Sequence, residues 1–133
     1  MVRFKVGNAA INTSSLSVNW PSNSWTGLLQ NATTISKVAT LNAQIISAGG
    51  CGRLIEPVGG VLPANSKVIL VSSYNFSVAL NAFGAITENI YIIFQNNPAV
   101  TAGHFGNYNA TPATRSLSMS FTGCSDSVTY ERS

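Results

Sequence analysis

The stretch that decides the fold is "RLIEPVGGVLPANSKVILVSS", residues 53–73. Two apolar runs flank a turn-rich middle, and the second run carries no charge after Lys67. The glycines of "EPVGG" permit positive φ where one strand ends, and Pro63 in "LPANS" sets φ for a second turn. Lys67 then opens a strand that continues into the core through residues 68–71, all of them apolar. A continuous apolar run of that length predicts a strand covered on both faces. "NIYIIFQ", residues 89–95, has the same character.

Working outward, the dominant period is two. "SLSMSF" puts Leu117, Met119 and Phe121 on one side and Ser116, Ser118 and Ser120 on the other, the pattern of a half-buried strand. "LSVNW" alternates through Leu16, Val18 and Trp20, "YNFSVAL" through Tyr74, Phe76, Val78 and Leu80, and "SVTYE" through Val128 and Tyr130. Gly, Pro and Asn clusters separate these runs, which points to a sandwich or barrel. The exception is "ATTISKVATLNAQII", where Ile35, Val38 and Leu41 recur every three residues. A short helix near residues 33–43, capped by Thr33 or Thr34, is expected there, with a loop leading into a strand as the alternative. The expected class is all-β, with at most that one short helix. No internal repeat or linker interrupts residues 1–133, so the chain reads as a single domain.

Composition then bounds function. Apolar residues make up 45% of the 133 and charged residues only 8%, against about a quarter in ordinary domains. The polar surface is therefore built from Asn, Ser, Thr and Gln, as in extracellular β-proteins. The net charge of +3 comes from scattered residues, Arg3, Lys5, Lys37, Arg53, Lys67, Arg115 and Arg132 against four acids. No basic stripe forms, so nucleic acid is not an expected partner. No uninterrupted apolar span of about 18 residues exists, so direct membrane insertion is not expected either. "MVRFKVGN" lacks the apolar stretch of a secretion signal and enters a strand almost at once. The expectation is a segment cut from something larger, with Met1 as an added start.

The segments quoted above resemble a known family. "GGVLPANSKVILVSS" resembles the part of lamin-tail-type domains in which a Pro-containing turn precedes a buried strand. "CSDSVTYERS" resembles that family's closing strand, through Asp126, Ser127, Val128 and Tyr130, and "TENIYIIFQ" at residues 87–95 fits the strand between them. "CGRLIEPVGG", "AGHFGNY" and "CSDSVTY" also occur in the order seen in surface-protein modules of Bacteroidetes-type bacteria. The chain departs from the family at residues 21–50, where an insertion separates the first strands. The resemblance implies an immunoglobulin-like antiparallel β-sandwich. It also implies a non-catalytic structural, spacing or adhesion module of a secreted or cell-surface protein, with a protein or glycan partner at the cell surface.

The residue inventory agrees with a non-enzyme. The single histidine, His104, lies in the Gly-rich "TAGHFGNY" and reads as a solvated loop residue. The acids Glu56, Glu88, Asp126 and Glu131 are scattered, and no Gly-x-Ser-x-Gly elbow accompanies them. No catalytic residue, no cofactor and no metal is therefore expected; one His and two Cys cannot close a zinc site without an acid or a partner chain. An alternative function, a carbohydrate-binding module, would use the loop aromatics Trp25, Phe105 and Tyr108 with His104. A third would be a subunit of a virion or extracellular filament. Finally, Cys51 and Cys124 both sit at strand edges, and an even count in a charge-poor, extracellular-type domain favours a disulfide between them. Such a bridge would contribute on the order of 4 kcal/mol. Two buried, reduced cysteines are the alternative.

Overall fold

The computed structural model describes residues 2–20, 23–79, 83–98, 114–121 and 124–131, and among these only the backbone of residues 20, 23, 114–117, 121 and 124–131. Among the described residues eleven strands run in the order β1 (Val2–Lys5), β2 (Ile11–Asn12), β3 (Ser17–Trp20), β4 (Asn23–Ser24), β5 (Leu28–Leu29), β6 (Leu54–Ile55), β7 (Val61–Leu62), β8 (Lys67–Val71), β9 (Ile90–Gln95), β10 (Thr114–Phe121) and β11 (Cys124–Glu131). One α-helix, α1 (Ala32–Ser47), lies between β5 and β6.

The two uninterrupted apolar runs become β8 and β9, and they pair in parallel from Val68↔Tyr91 to Val71↔Phe94. Antiparallel β1 lines the far side of β8, and antiparallel β5 and parallel β6 pair with β9. The result is an open five-stranded mixed sheet. Both its faces are covered, as the sequence predicts. Ile69, Val71, Ile92 and Phe94 face Leu41 and Ile45 of α1. Val68, Leu70 and Ile93, from the opposite face, pack with Val6, Leu16, Val18 and Leu62, and Met119 of β10 joins them. Met119 and Val18 belong to the second sheet, four antiparallel strands in the order β11-β10-β3-β4. "SLSMSF" and "SVTYE" therefore do form strands, within β10 and β11.

Three expectations are corrected. The first is the purely antiparallel arrangement, since β8–β9 and β6–β9 are parallel. Parallel neighbours cannot be joined by a hairpin and need a crossover connection. The second correction follows from the first: residues 74–79 of "YNFSVAL" belong to that crossover as turns and irregular backbone, not a strand, and Leu80 lies outside the described residues. Their burial still alternates, and Tyr74, Phe76 and Val78 pack inward on the helix side. Two of the backbone carbonyls there accept from helix side chains instead of from a neighbouring strand. Lys37 Nζ donates to the Phe76 carbonyl at 2.8 Å and Gln44 Nε2 to the Val78 carbonyl at 3.5 Å.

The third correction concerns the helix, which spans 16 residues and is not short. Its cap is Asn31, ahead of both threonines that the sequence suggested. Asn31 Oδ1 accepts from the Thr33 and Thr34 N–H groups at 3.0 and 3.2 Å, while Thr34 Oγ1 accepts from the Asn31 N–H. This reciprocal box satisfies donors that the first turn leaves unpaired. The inward face is Thr34, Val38, Leu41 and Ile45, a spacing of 3.6, and Ile35 points outward with 62% exposure. The helix continues past residue 43, where Ile45 is fully buried against the sheet. Asn42 Oδ1 accepts the Leu54 N–H at 2.8 Å and its Nδ2 donates to the Leu54 carbonyl at 3.0 Å. Its amide thus serves β6 as a neighbouring strand would.

The turns of residues 53–73 form as expected. Gly59 and Gly60 take φ of +63° and +72°, and Ser66 N–H and Oγ both donate to the Pro63 carbonyl before β8 begins. Upstream, Gly52 packs so closely on the Glu88 backbone that a Cβ there would collide with its nitrogen and carbonyl.

Candidate functional site

The fold brings three loop pieces together beside the β2–β7 pair. Ile11↔Leu62 and Asn12↔Val61 are in register, so the turn at Thr13–Ser15 lies against the glycine turn at Val58–Gly60. Buried Thr13 locks the two, donating from Oγ1 to the Gly60 carbonyl at 2.7 Å. Gly60 has to be glycine here, since its φ is positive and a Cβ would sit 2.8 Å from Thr13 Oγ1. The third piece is residues 25–30, where Gln30 Nε2 donates to the Pro57 carbonyl at 2.9 Å.

Between these pieces lies an open cleft of about 630 Å³. Asn12, Thr13, Ser14, Leu16, Trp25, Gly27, Leu28, Gln30, Gly59 and Gly60 line it. Every lining side chain is neutral. Five of them, Asn12, Thr13, Ser14, Gln30 and the indole N–H of Trp25, can hydrogen-bond, and none of the ten titrates near neutral pH.

Trp25 is held from two directions. Its backbone N–H donates to the Val18 carbonyl on β3 at 2.8 Å, and its half-buried ring packs against the core. The next residue is clamped by the end of β9. Gln95, fully buried, accepts the Thr26 N–H at 3.0 Å through Oε1 and donates to the Ser72 carbonyl at 2.8 Å through Nε2. Asn96 N–H donates to the Gly27 carbonyl, and Thr26 Oγ1 to the Asn96 carbonyl. A buried amide with both ends satisfied fixes its neighbours firmly.

Of the loop aromatics singled out from the sequence, Trp25 lies in this cleft. His104, Phe105 and Tyr108 fall outside the described residues. The rest of the lining carried no signal in the sequence, because Asn12, Ser14, Gln30 and Gly60 meet only through long-range pairing. Cys51 is a free, exposed cysteine whose thiol lies 3.6 Å from the Thr87 carbonyl. No disulfide is seen among the described side chains, and that of Cys124, the expected partner, lies outside them.

Two carboxylates have shifted acidities. Burial pushes Glu56 above the usual glutamate range, with the Thr34 hydroxyl opposing, and its Oε1 is buried without a hydrogen bond among the described residues. Glu88 is held below that range by Lys67, whose Nζ donates to it at 2.6 Å in an exposed pair. Neither lines the cleft. Among the described residues no three His, Cys, Asp or Glu side chains gather as metal ligands would, and no helix is long and apolar enough to cross a membrane.

No protein-family model, no curated protein and no solved structure matches this chain.

Proposed function

We propose that this chain is a non-catalytic structural and adhesion module of a secreted or cell-surface protein. The observation that carries this reading is the cleft around Trp25, whose lining can bind and orient a partner through neutral groups. A sheet scaffold that carries most of its binding residues on loops is the usual division of labour in recognition domains. The charge-poor, Asn/Ser/Thr-rich composition supports the same placement outside the cell.

The lamin-tail resemblance belongs to this reading. In its support, the Pro63 turn does lead into a buried strand, β8, and the Asp126–Tyr130 motif does lie on a strand, β11. An immunoglobulin-like sandwich is the arrangement this resemblance proposes for the two sheets, with the parallel β8–β9 pair and α1 as departures from it.

The test is adhesion under flow. Beads coated with the protein should be retained on immobilised matrix glycoproteins or polysaccharides, and soluble protein should compete them off. The captured surface should be recovered chemically unchanged. Retention no better than that of albumin-coated beads would defeat the adhesion reading, and turnover of the captured surface would defeat the non-catalytic one.

A further inference from the structure

We infer that the cleft binds a neutral glycan, with Trp25 as its stacking platform; this rests on the binding-module reading above and names its ligand class. The volume of about 630 Å³ lies within the range of small-ligand sites, and the opening to solvent suits part of a longer polymer better than an enclosed small molecule. The lining selects the chemistry. Phosphate or carboxylate ligands call for Arg or Lys, and cations for carboxylates, and the cleft offers neither. A wholly apolar ligand would cover Asn12 Nδ2, the Ser14 hydroxyl and Gln30 Oε1 without supplying partners, at a cost. A pyranose meets both halves of the lining. Its C–H face is weakly positive and suits the negative face of an indole ring, beside which Leu28 adds apolar contact.

The hydrogen-bonding groups fit hydroxyls in particular. Asn12 uses Oδ1 on the Ser14 N–H, which leaves its Nδ2 donors for a ligand. Gln30 uses Nε2 on the Pro57 carbonyl, which leaves Oε1 as an acceptor. A hydroxyl both donates and accepts, so neighbouring sugar hydroxyls can engage the two together. The clamps on residues 25–27 from Val18 and Gln95 hold the platform before the ligand arrives, which lowers the entropy lost on binding.

The experiment is an amide-shift titration of the isotope-labelled protein with cellohexaose, xylohexaose, mannohexaose and chitohexaose. Heparin hexasaccharide and decaproline are the contrasting probes. At least one neutral hexasaccharide should shift the Ser14, Gly59 and Gly60 amides and the Trp25 indole N–H saturably. Trp25→Ala should weaken binding about tenfold or more, as truncating an aromatic anchor does. Trp25→Phe should retain more affinity than Trp25→Ala, and Gln30→Ala should lose less. The inference is overturned if no neutral hexasaccharide shifts these amides, or if only heparin or decaproline does. It is equally overturned if Trp25→Ala keeps a native spectrum and full affinity. Should Trp25→Ala fail to fold, unchanged affinity in both folded Trp25→Phe and Gln30→Ala overturns it. Retention of coated beads without any cleft shift would remove the glycan site and leave adhesion standing. Cleft shifts without retention would do the reverse.

Discussion

Strand β8 and the crossing segment at residues 74–79 are separated only by Ser72 and Ser73, yet they hold their backbones in opposite ways. In β8 every residue is paired in a ladder, with β1 on one side and β9 on the other, and four of its five side chains are buried. In residues 74–79 burial alternates between half-buried and exposed, and helix side chains take up two of the carbonyls. The same chemical rule operates in both, since backbone groups drawn out of water need partners. What differs is the source of the partner. A sheet supplies it cooperatively, whereas a crossover depends on individual side chains such as Lys37 and Gln44.

The sharpest way to break this comparison is to remove one large ring from the sheet, in β9 beside β8, and one from the crossover. Phe94 is fully buried, and its ring lies 5.8 Å from that of half-buried Phe76. Phe94→Ala should cost about 3–5 kcal/mol, while Phe76→Ala, whose site can relax toward solvent, should cost about 1–2 kcal/mol. Urea denaturation of both variants decides the matter. Equal losses would mean that the crossover is as tightly packed as the sheet.

A smaller effect is expected from the support beneath the crossover. Asn31→Ala removes the acceptor of the Thr33 and Thr34 N–H groups and should cost about 1 kcal/mol. Hydrogen exchange should quicken in the first turn of α1, with β8 amides changing only by the global loss. If β8 exchange quickens more than that of α1, helix and sheet are a single cooperative unit.

Smaller again is the loss of one crossover bond. Lys37→Met removes the ammonium that donates to the Phe76 carbonyl and lies 5.7 Å from the Phe76 ring centroid, and should cost about 0.5–1 kcal/mol. Amides at residues 74–79 should exchange faster while those of β9 do not. A uniform change across both regions would contradict the local account.

The smallest effects are those of pH, and they oppose each other. Glu56 is harder to ionise in the folded state than in the unfolded chain. Its contribution is therefore full below the ordinary glutamate range and is lost as pH rises through that range toward the raised value. Glu88 is easier to ionise when folded, so its contribution is present above the ordinary range and lost as pH falls through the lowered value. Because the Lys67 pair is exposed, its share is slight. Carboxyl titration by NMR should place Glu56 above Glu88. Glu56→Gln should flatten the melting temperature across the upper window, and an unchanged pH profile would show that the burial of Glu56 is immaterial.

Some of this molecule was already determined by the sequence. Residues 68–71 and 90–94 have apolar side chains on both faces, which only a doubly covered strand can accommodate, and Pro63 with Gly59 and Gly60 sets the turns before β8. Alternation likewise marked β3, β10 and β11, because a pleat exposes every second residue. Trp25 could be recognised as a candidate loop aromatic. Other features were decided only by the tertiary structure. The alternation at residues 74–79 could not reveal a crossover, since half-burial every second residue arises equally in a strand and in a chain draped over a helix. Helix α1 outruns its expected end because Ile45 is buried against the first sheet, and the pairing of Asn42 with Leu54 was equally invisible. The cleft was illegible for the same reason. Asn12, Trp25, Gln30 and Gly60 are far apart in the chain, and it is the β2–β7 pairing and the buried Gln95 amide that bring them together.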